Sequence, residues 1–432
     1  MASRWLAVAG CLVAVSALGA CGSSNKSSSS TGGAASTSAS GGTKNVTVYT
    51  SLPLDATDRV QTEDVIKGEK LALTQVNNTV GPCKITFKQL DDSTAQAGQW
   101  DAGQVSSNAR KAAQDKSVVA YIGEFNSGAS AISIPITNQA GLMQISPSNT
   151  ALELTKDPGP SGKGAPGKYY PTGKRTYARV VAADHIQGAV QGAWMKELGV
   201  KKLFEANDKQ VYGSGVAKTT GDAAKLNGIT VVGNEGIDIK APNYRALAQK
   251  IKSSGADAFF FGGITASNGV QLYKDVWAAN PGIKLFGPDG VAETTFTSKL
   301  PADAQKNSYI TVGTIDPKDY PPEGQKFFAD FKKAYGTATP EPYAIYGYEA
   351  VSLLLDSMKR AGANCADRQS VIDQVFKTKD KKSVLGTYSI DKDGDVTTNQ
   401  FGRFFVKNGK LSYDKTVVVK KDSYGRPLGS GQ

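Results

Sequence analysis

The stretch YIGEFNSGASAISIPI, Tyr121 to Ile136, ends an apolar run in small and polar residues and then resumes at helical spacing. A helix that starts after such a turn leaves backbone N–H groups unpaired at its N-terminus, where anions bind. Phosphate, a catalytic oxyanion and a carboxylate are the candidate occupants. Upstream, SVVAYIG (Ser117–Gly123) supplies a strand, and downstream GLMQIS (Gly141–Ser146) supplies another. The unit is strand–helix–strand, which predicts a parallel sheet flanked by helices.

The same alternation extends in both directions. VTVYT and CKITFKQLDD read as strands, with EDVIKGEKLALTQVN between them as a helix, and AQAGQWDAGQVSSNARKAAQ (Ala95–Gln114) is predicted helical throughout. A Gly/Pro/Lys stretch, Lys156–Arg175, is predicted to be an exposed loop. After it come GAVQGAWMKELG, KKLFEAN, VYGSGVAKTTGDAAKLN, ITVVGN, NYRALAQKIKSSG, ADAFFFGG, NGVQLYKDVWAAN and IKLFGPDG, again helix and strand in turn. Two α/β units of similar construction are therefore expected. Two long helices, EGQKFFADFKKAYG and EPYAIYGYEAVSLLLDSMKRAG, and shorter strands around a DKDGD turn complete the chain.

The 432 residues suffice for two or three domains, and 40% apolar against 21% charged residues describes a globular chain with a core. The net charge of +11 would suit an anionic partner. The lysines are scattered, however, and the densest run, KTKDKK (Lys377–Lys382), has no interleaved aromatics to stack bases, so nucleic acid is not an expected partner.

The chemistry that is missing narrows the function. One histidine, His185, cannot build a His-ligated metal site, and it lies in AADHIQGAV as a first-turn helix residue. There is no Cys-x-x-Cys pair, no GxSxG elbow, no phosphate-loop lysine after EFNSGAS and no GxGxxG. DKDGD departs from a calcium loop in its glycine position and reads as a β-turn. Asp91 and Asp92, adjacent at a strand end, read as helix-capping groups, although a carboxylate-based surface hydrolase is the enzyme alternative. No metal and no cofactor are expected, and binding is favoured over catalysis. FNSGAS and SPSNT (Ser146–Thr150) follow successive strands on one sheet edge, where ligands of open α/β sheets bind. Without a lysine, a carboxylate is the better occupant.

At the N-terminus, residues 1–20 have an early Arg, a short apolar run and small residues, the pattern of a signal peptide. LGAC (Leu18–Cys21) resembles a bacterial lipobox, which implies a lipid on Cys21. Residues 21–44 are nearly all Ser, Gly, Thr and Ala, a flexible tether spanning roughly 25 Å. Cys11 leaves with the signal, so Cys83 and Cys365 remain, to pair in an oxidising compartment or to be buried separately.

From about Val46 to Lys407 the chain resembles the substrate-binding proteins of branched-chain amino acid ABC transporters. IGEFNSGAS, ISPSNT, NDKQVYGSGVA, FFGG, LFGPDGV and PYAIYGYEAV carry the resemblance through their order and spacing. It implies the type I periplasmic binding protein fold, two Rossmann-like α/β lobes with parallel sheets joined by a three-segment hinge. On that pattern lobe 1 comprises residues 45–178 and 313–395, and lobe 2 residues 179–312 and 396–432. The resemblance also implies that Ser127 and Thr150 bind a ligand carboxylate and that Ser148 offers its carbonyl to the ammonium. Tyr212 would close from the other lobe, Asp289 would pair with the ammonium, and Phe125 and Tyr346 would form pocket walls. Two positions depart from the family. Asp289 is a methylene shorter than the usual glutamate, and Ile264 stands where relatives often have a tyrosine. The implied function is capture of an amino acid, branched-chain or otherwise apolar, by a monomer lipid-anchored at the outer face of the cytoplasmic membrane. The implied partners are an ABC permease and its ATPases. The alternative on this fold is a receptor for an amide, urea or small organic acid.

Overall fold

The computed structural model describes residues 42–159 and 162–428. The signal peptide, Cys21 and nearly all of the tether lie outside the described residues.

The apolar runs of the first unit become a sheet. In spatial order its strands are Thr79–Val80, Cys83–Asp91, Lys44–Leu52, Val118–Gly123, Met143–Ser146 and Tyr177–Arg179, parallel except for the first. Every residue of Val118–Gly123 is buried, as a strand covered on both faces must be. A second sheet takes Thr230–Gly236, Lys202–Asn207, Ala258–Gly262, Lys284–Gly287 and Ser308–Val312 in parallel, then Gln400–Lys407 and Lys410–Val418 antiparallel at its edge.

The chain passes between the two lobes three times. It leaves the first sheet after Arg179 and enters the second lobe through the helix Asp184–Glu197. It returns after Val312 to lay Pro322–Tyr335, Ala344–Ala361 and Arg368–Phe376 against the first lobe, and crosses again before Gln400. Arg179, fully buried, ties the first and third crossings together. Its Nε donates to Asp395 at 2.8 Å and its Nη1 to the carbonyl of Ala151 at 2.8 Å. Lys156 adds ion pairs to Asp391 at 2.8 Å and Asp395 at 3.2 Å. The DKDGD turn thus forms part of the hinge lock. Burial opposes ionisation of Asp395, but Arg179 and Lys156 beside it hold its carboxyl well below the usual carboxylate range.

Cys83 and Cys365 are bonded, joining the start of a strand to the segment after the helix Ala344–Ala361; both are fully buried. Three local expectations need correction. Asp91 and Asp92 cap no helix: Asp101 caps Ala102–Gln114, and Asp91 accepts instead from the amides of Leu54 and Ser93. Ala95–Trp100 is not helical, because Gly98 adopts positive φ and Ser93–Thr94 pairs with Gln99–Trp100 as a small hairpin; the helix is Ala102–Gln114. The Lys156–Arg175 segment is not simply exposed either. Tyr169 and Tyr170 turn inward against Ile134, Leu154 and Tyr177, too much aromatic surface to leave in water.

Candidate functional site

In both sheets the parallel strands end on one edge, and these edges face each other across a cleft. In this closed arrangement the cleft is nearly filled by its own side chains, and its free interior is only about 30 Å³. The lining residues come from the turns after strand ends. Asp58 and Gln61 follow Lys44–Leu52, Phe125 to Gly128 follow Val118–Gly123, and Ser148 and Thr150 follow Met143–Ser146. From the second sheet come Gln210 and Tyr212, Ile264, and Asp289, Gly290 and Glu293. Tyr343, at the start of the helix Ala344–Ala361, completes the wall.

Phe125–Gly128, the turn after Val118–Gly123, forms the donor side. Ser127 opens the helix Ser127–Gln139, and no side chain caps it. Its first-turn N–H groups are therefore without intrahelical acceptors. Ser127 Oγ accepts from the Ala151 amide at 3.3 Å, which couples the two turns. Ser148 Oγ donates to the Phe125 carbonyl at 2.7 Å, so this hydroxyl braces the loop. Thr150 Oγ1 is buried without a hydrogen-bond partner among the described residues, and its side chain lines the cleft. Gly128 is required by packing: a Cβ there would lie 2.7 Å from the Trp100 ring.

The opposite side is acidic. Asp289 accepts from Tyr212 Oη at 2.8 Å and from Tyr343 Oη at 2.7 Å, one tyrosine from each lobe. The Gly290 amide donates to Tyr212 Oη at 2.9 Å, so that ring is oriented at both sides of its hydroxyl. Burial raises the Asp289 pKa, and the two tyrosine hydroxyls act against that. Asp184, buried close by, is pushed up to about 8 by burial and by the charge of Asp289, with the Thr150 hydroxyl acting against them.

Six of the seven cleft residues named from the sequence meet here: Phe125, Ser127, Ser148, Thr150, Tyr212 and Asp289. Tyr346 does not line the cleft. It packs behind Tyr343, ring centres 5.5 Å apart, with its hydroxyl against Gly313 at the second crossing. One turn of helix separates the two tyrosines, and the earlier one, at the helix start, faces the ligand space. Sequence reasoning also missed Asp58, Gln61, Asn126, Gln210 and Glu293. Asp58 and Glu293 each immediately precede a helix and look like caps, yet neither side chain caps it.

The lobes touch across the cleft. Trp100 Nε1 donates to Gln210 Oε1 at 3.1 Å, Thr294 Oγ1 to Glu341 Oε1 at 2.6 Å, and Gln61 Nε2 reaches Glu293 Oε2 at 3.4 Å. With the Tyr343–Asp289 bond these contacts describe a closed arrangement.

Among the described residues no helix is long and apolar enough to cross a membrane, and no cluster of His, Cys, Asp and Glu could hold a metal ion. Comparison with known proteins gives a consistent picture. A sequence model of the family described as periplasmic binding protein matches residues 24–407. A Leu/Ile/Val-binding protein homolog of Brucella abortus is 28% identical over 358 residues, covering 81% of this chain and 87% of the relative. Among solved structures, a leucine-binding protein from Thermotoga maritima superposes with a TM-score of 0.75 at 22% identity, covering 86% of this chain and 98% of that one. A solute-binding protein of an ABC transporter from R. palustris, in complex with benzoate, gives 0.71 at 20% identity, with 87% and 98% covered. Both structures share the fold.

Proposed function

The chain belongs to the periplasmic binding protein family, and from that premise we propose that it captures an α-amino acid in the inter-lobe cleft and presents it to an ABC importer. The observation that carries this reading is the opposition of donors and acceptor across the cleft. Unpaired amides of the helix start at Ser127 and the unpartnered hydroxyl of Thr150 suit a carboxylate. Asp289, oriented by Tyr212 and Tyr343, suits an ammonium. A zwitterion that touches both lobes favours the closed state because only there are both ends satisfied. Phe125 and Ile264 offer apolar surface to its side chain.

The remaining parts follow from the sequence. Residues 1–20 direct export, lipid on Cys21 anchors the chain, residues 21–44 hold it off the membrane, and the rims of both closed lobes engage a permease served by cytoplasmic ATPases. The protein acts as a monomer and returns its ligand unaltered, without cofactor or turnover.

The test is thermal unfolding of the purified protein with a panel of amino acids, amides, urea and aromatic acids. A ligand that binds the native state raises the midpoint by mass action. A rise with α-amino acids supports the reading. A response confined to amides, urea or benzoate-like acids would replace it with the receptor alternative, a ligand class that the benzoate-bound relative illustrates.

A further inference from the structure

A second group of acids lines the same cleft, and the amino-acid ends do not use it. Asp58, Gln61 and Glu293 are 3%, 2% and 2% exposed. Both carboxylate oxygens of Asp58, Glu293 Oε1 and Gln61 Oε1 have no hydrogen-bond partner among the described residues. The one bond within the group is the long contact from Gln61 to Glu293. Thr265 and Thr295 stand beside Glu293, and their hydroxyls offset only part of the cost of burying it. No lysine or arginine is among the residues lining the cleft.

Capping does not account for these acids. Asp58 precedes the helix Arg59–Gln75 and Glu293 precedes Thr294–Thr297, yet neither carboxylate accepts from the amides of its helix. Each is left as a buried acceptor, which costs free energy unless a donor arrives. The two come from opposite lobes, so closure brings like charges together. Burial pushes Asp58 up to about 7, and burial together with Asp58 raises Glu293 well above its ordinary value. A cation placed between them removes this penalty in the closed state alone.

We propose, on the amino-acid reading above, that Asp58 and Glu293 clasp the cationic tip of the ligand's side chain, a guanidinium or an ammonium, with Gln61 as a third acceptor. The preferred ligand is then a basic amino acid, in place of the apolar side chain implied by the family resemblance. The chemistry matches: a guanidinium carries five N–H donors and an ammonium three, and both oxygens of Asp58, with Gln61 Oε1, can only accept.

The experiment is calorimetric titration of the purified protein with L-arginine, L-lysine, L-citrulline, L-norleucine and L-leucine. Citrulline and norleucine match the length of the basic side chains without their charge. Arginine or lysine should bind at least about tenfold more tightly than its neutral counterpart. Asp58→Asn and Glu293→Gln should each reduce that ratio. Circular dichroism checks the fold of the variants, and the wild-type panel decides the matter even if they fail to fold. Leucine, norleucine or citrulline binding as tightly as the cations would overturn this inference and leave the amino-acid reading intact. Silence from every amino acid would overturn both.

Discussion

Ser127 and Asp289 are single residues whose neighbours set their chemistry. Ser127 opens an uncapped helix and also accepts from the Ala151 amide, so its hydroxyl serves the architecture of two turns as well as a ligand. Asp289 is held by two tyrosines, one on each lobe. Ser127→Ala should weaken amino-acid binding by more than about tenfold, and Asp289→Asn by at least as much, since each change unpairs a buried charged group of the ligand. Titration calorimetry reads both, and wild-type affinity in either variant would remove that residue from the ammonium or carboxylate site. Tyr343 was the harder residue to read. PYAIYGYEAV offers tyrosines three apart on one helical face, and nothing in that spacing distinguishes the one at the cleft from the one at the hinge.

At the scale of elements, the crossing of Arg59–Gln75 with Ala344–Ala361 positions much of the acidic wall. Asp58 and Gln61 sit at the start of the first helix and Tyr343 at the start of the second. Two glycines let the backbones meet. A Cβ on Gly68 would lie 2.1 Å from the Ala344 carbonyl oxygen, and one on Gly347 would lie 2.3 Å from that of Val65. The obstacle in each case is backbone, which cannot rotate aside. Gly68→Ala should therefore force the helices apart, lowering stability by roughly 1–3 kcal/mol and moving Asp58 away from Glu293. A lower urea midpoint at unchanged slope, with weaker ligand binding, is the expected result; an unshifted midpoint would show that the crossing tolerates a methyl group.

For the whole molecule, the balance of buried acids predicts a pH dependence. Burial pushes Asp208 up to about 6, Asp58 to about 7, and Glu69, Asp184 and Glu205 to about 8. Unfolded, these groups titrate near about 4. Between those limits the folded chain binds more protons than the unfolded one, so stability falls as pH rises through the window. His185 acts in the opposite sense: burial lowers it to about 4, so its contribution grows between there and about 6.5 and is then complete. Asp395, held below the usual carboxylate range, contributes stability above about 4 and loses it only as pH falls toward its folded value. Above about pH 7 neither group titrates, and the raised acids dominate. The unfolding temperature of the ligand-free protein should fall by several degrees from pH 6 to pH 9, and a flat or rising profile would contradict the burial assigned to these carboxylates.

The alternation of apolar strands and amphipathic helices was legible in the order of residues, because a pattern of period two or near four is local and fixes which face each element buries. The turn at Phe125–Gly128 was legible for the same reason, as small residues after an apolar strand mark a helix start open to a ligand. Pairing of Cys83 with Cys365 remained one of two readings until the fold brought residues 282 apart in sequence into contact. Asp58 and Glu293 look in sequence like ordinary residues before helices. Their character as unpaired acids facing each other arises only when the lobes close, since burial and the loss of water are properties of the packed chain and of no segment within it.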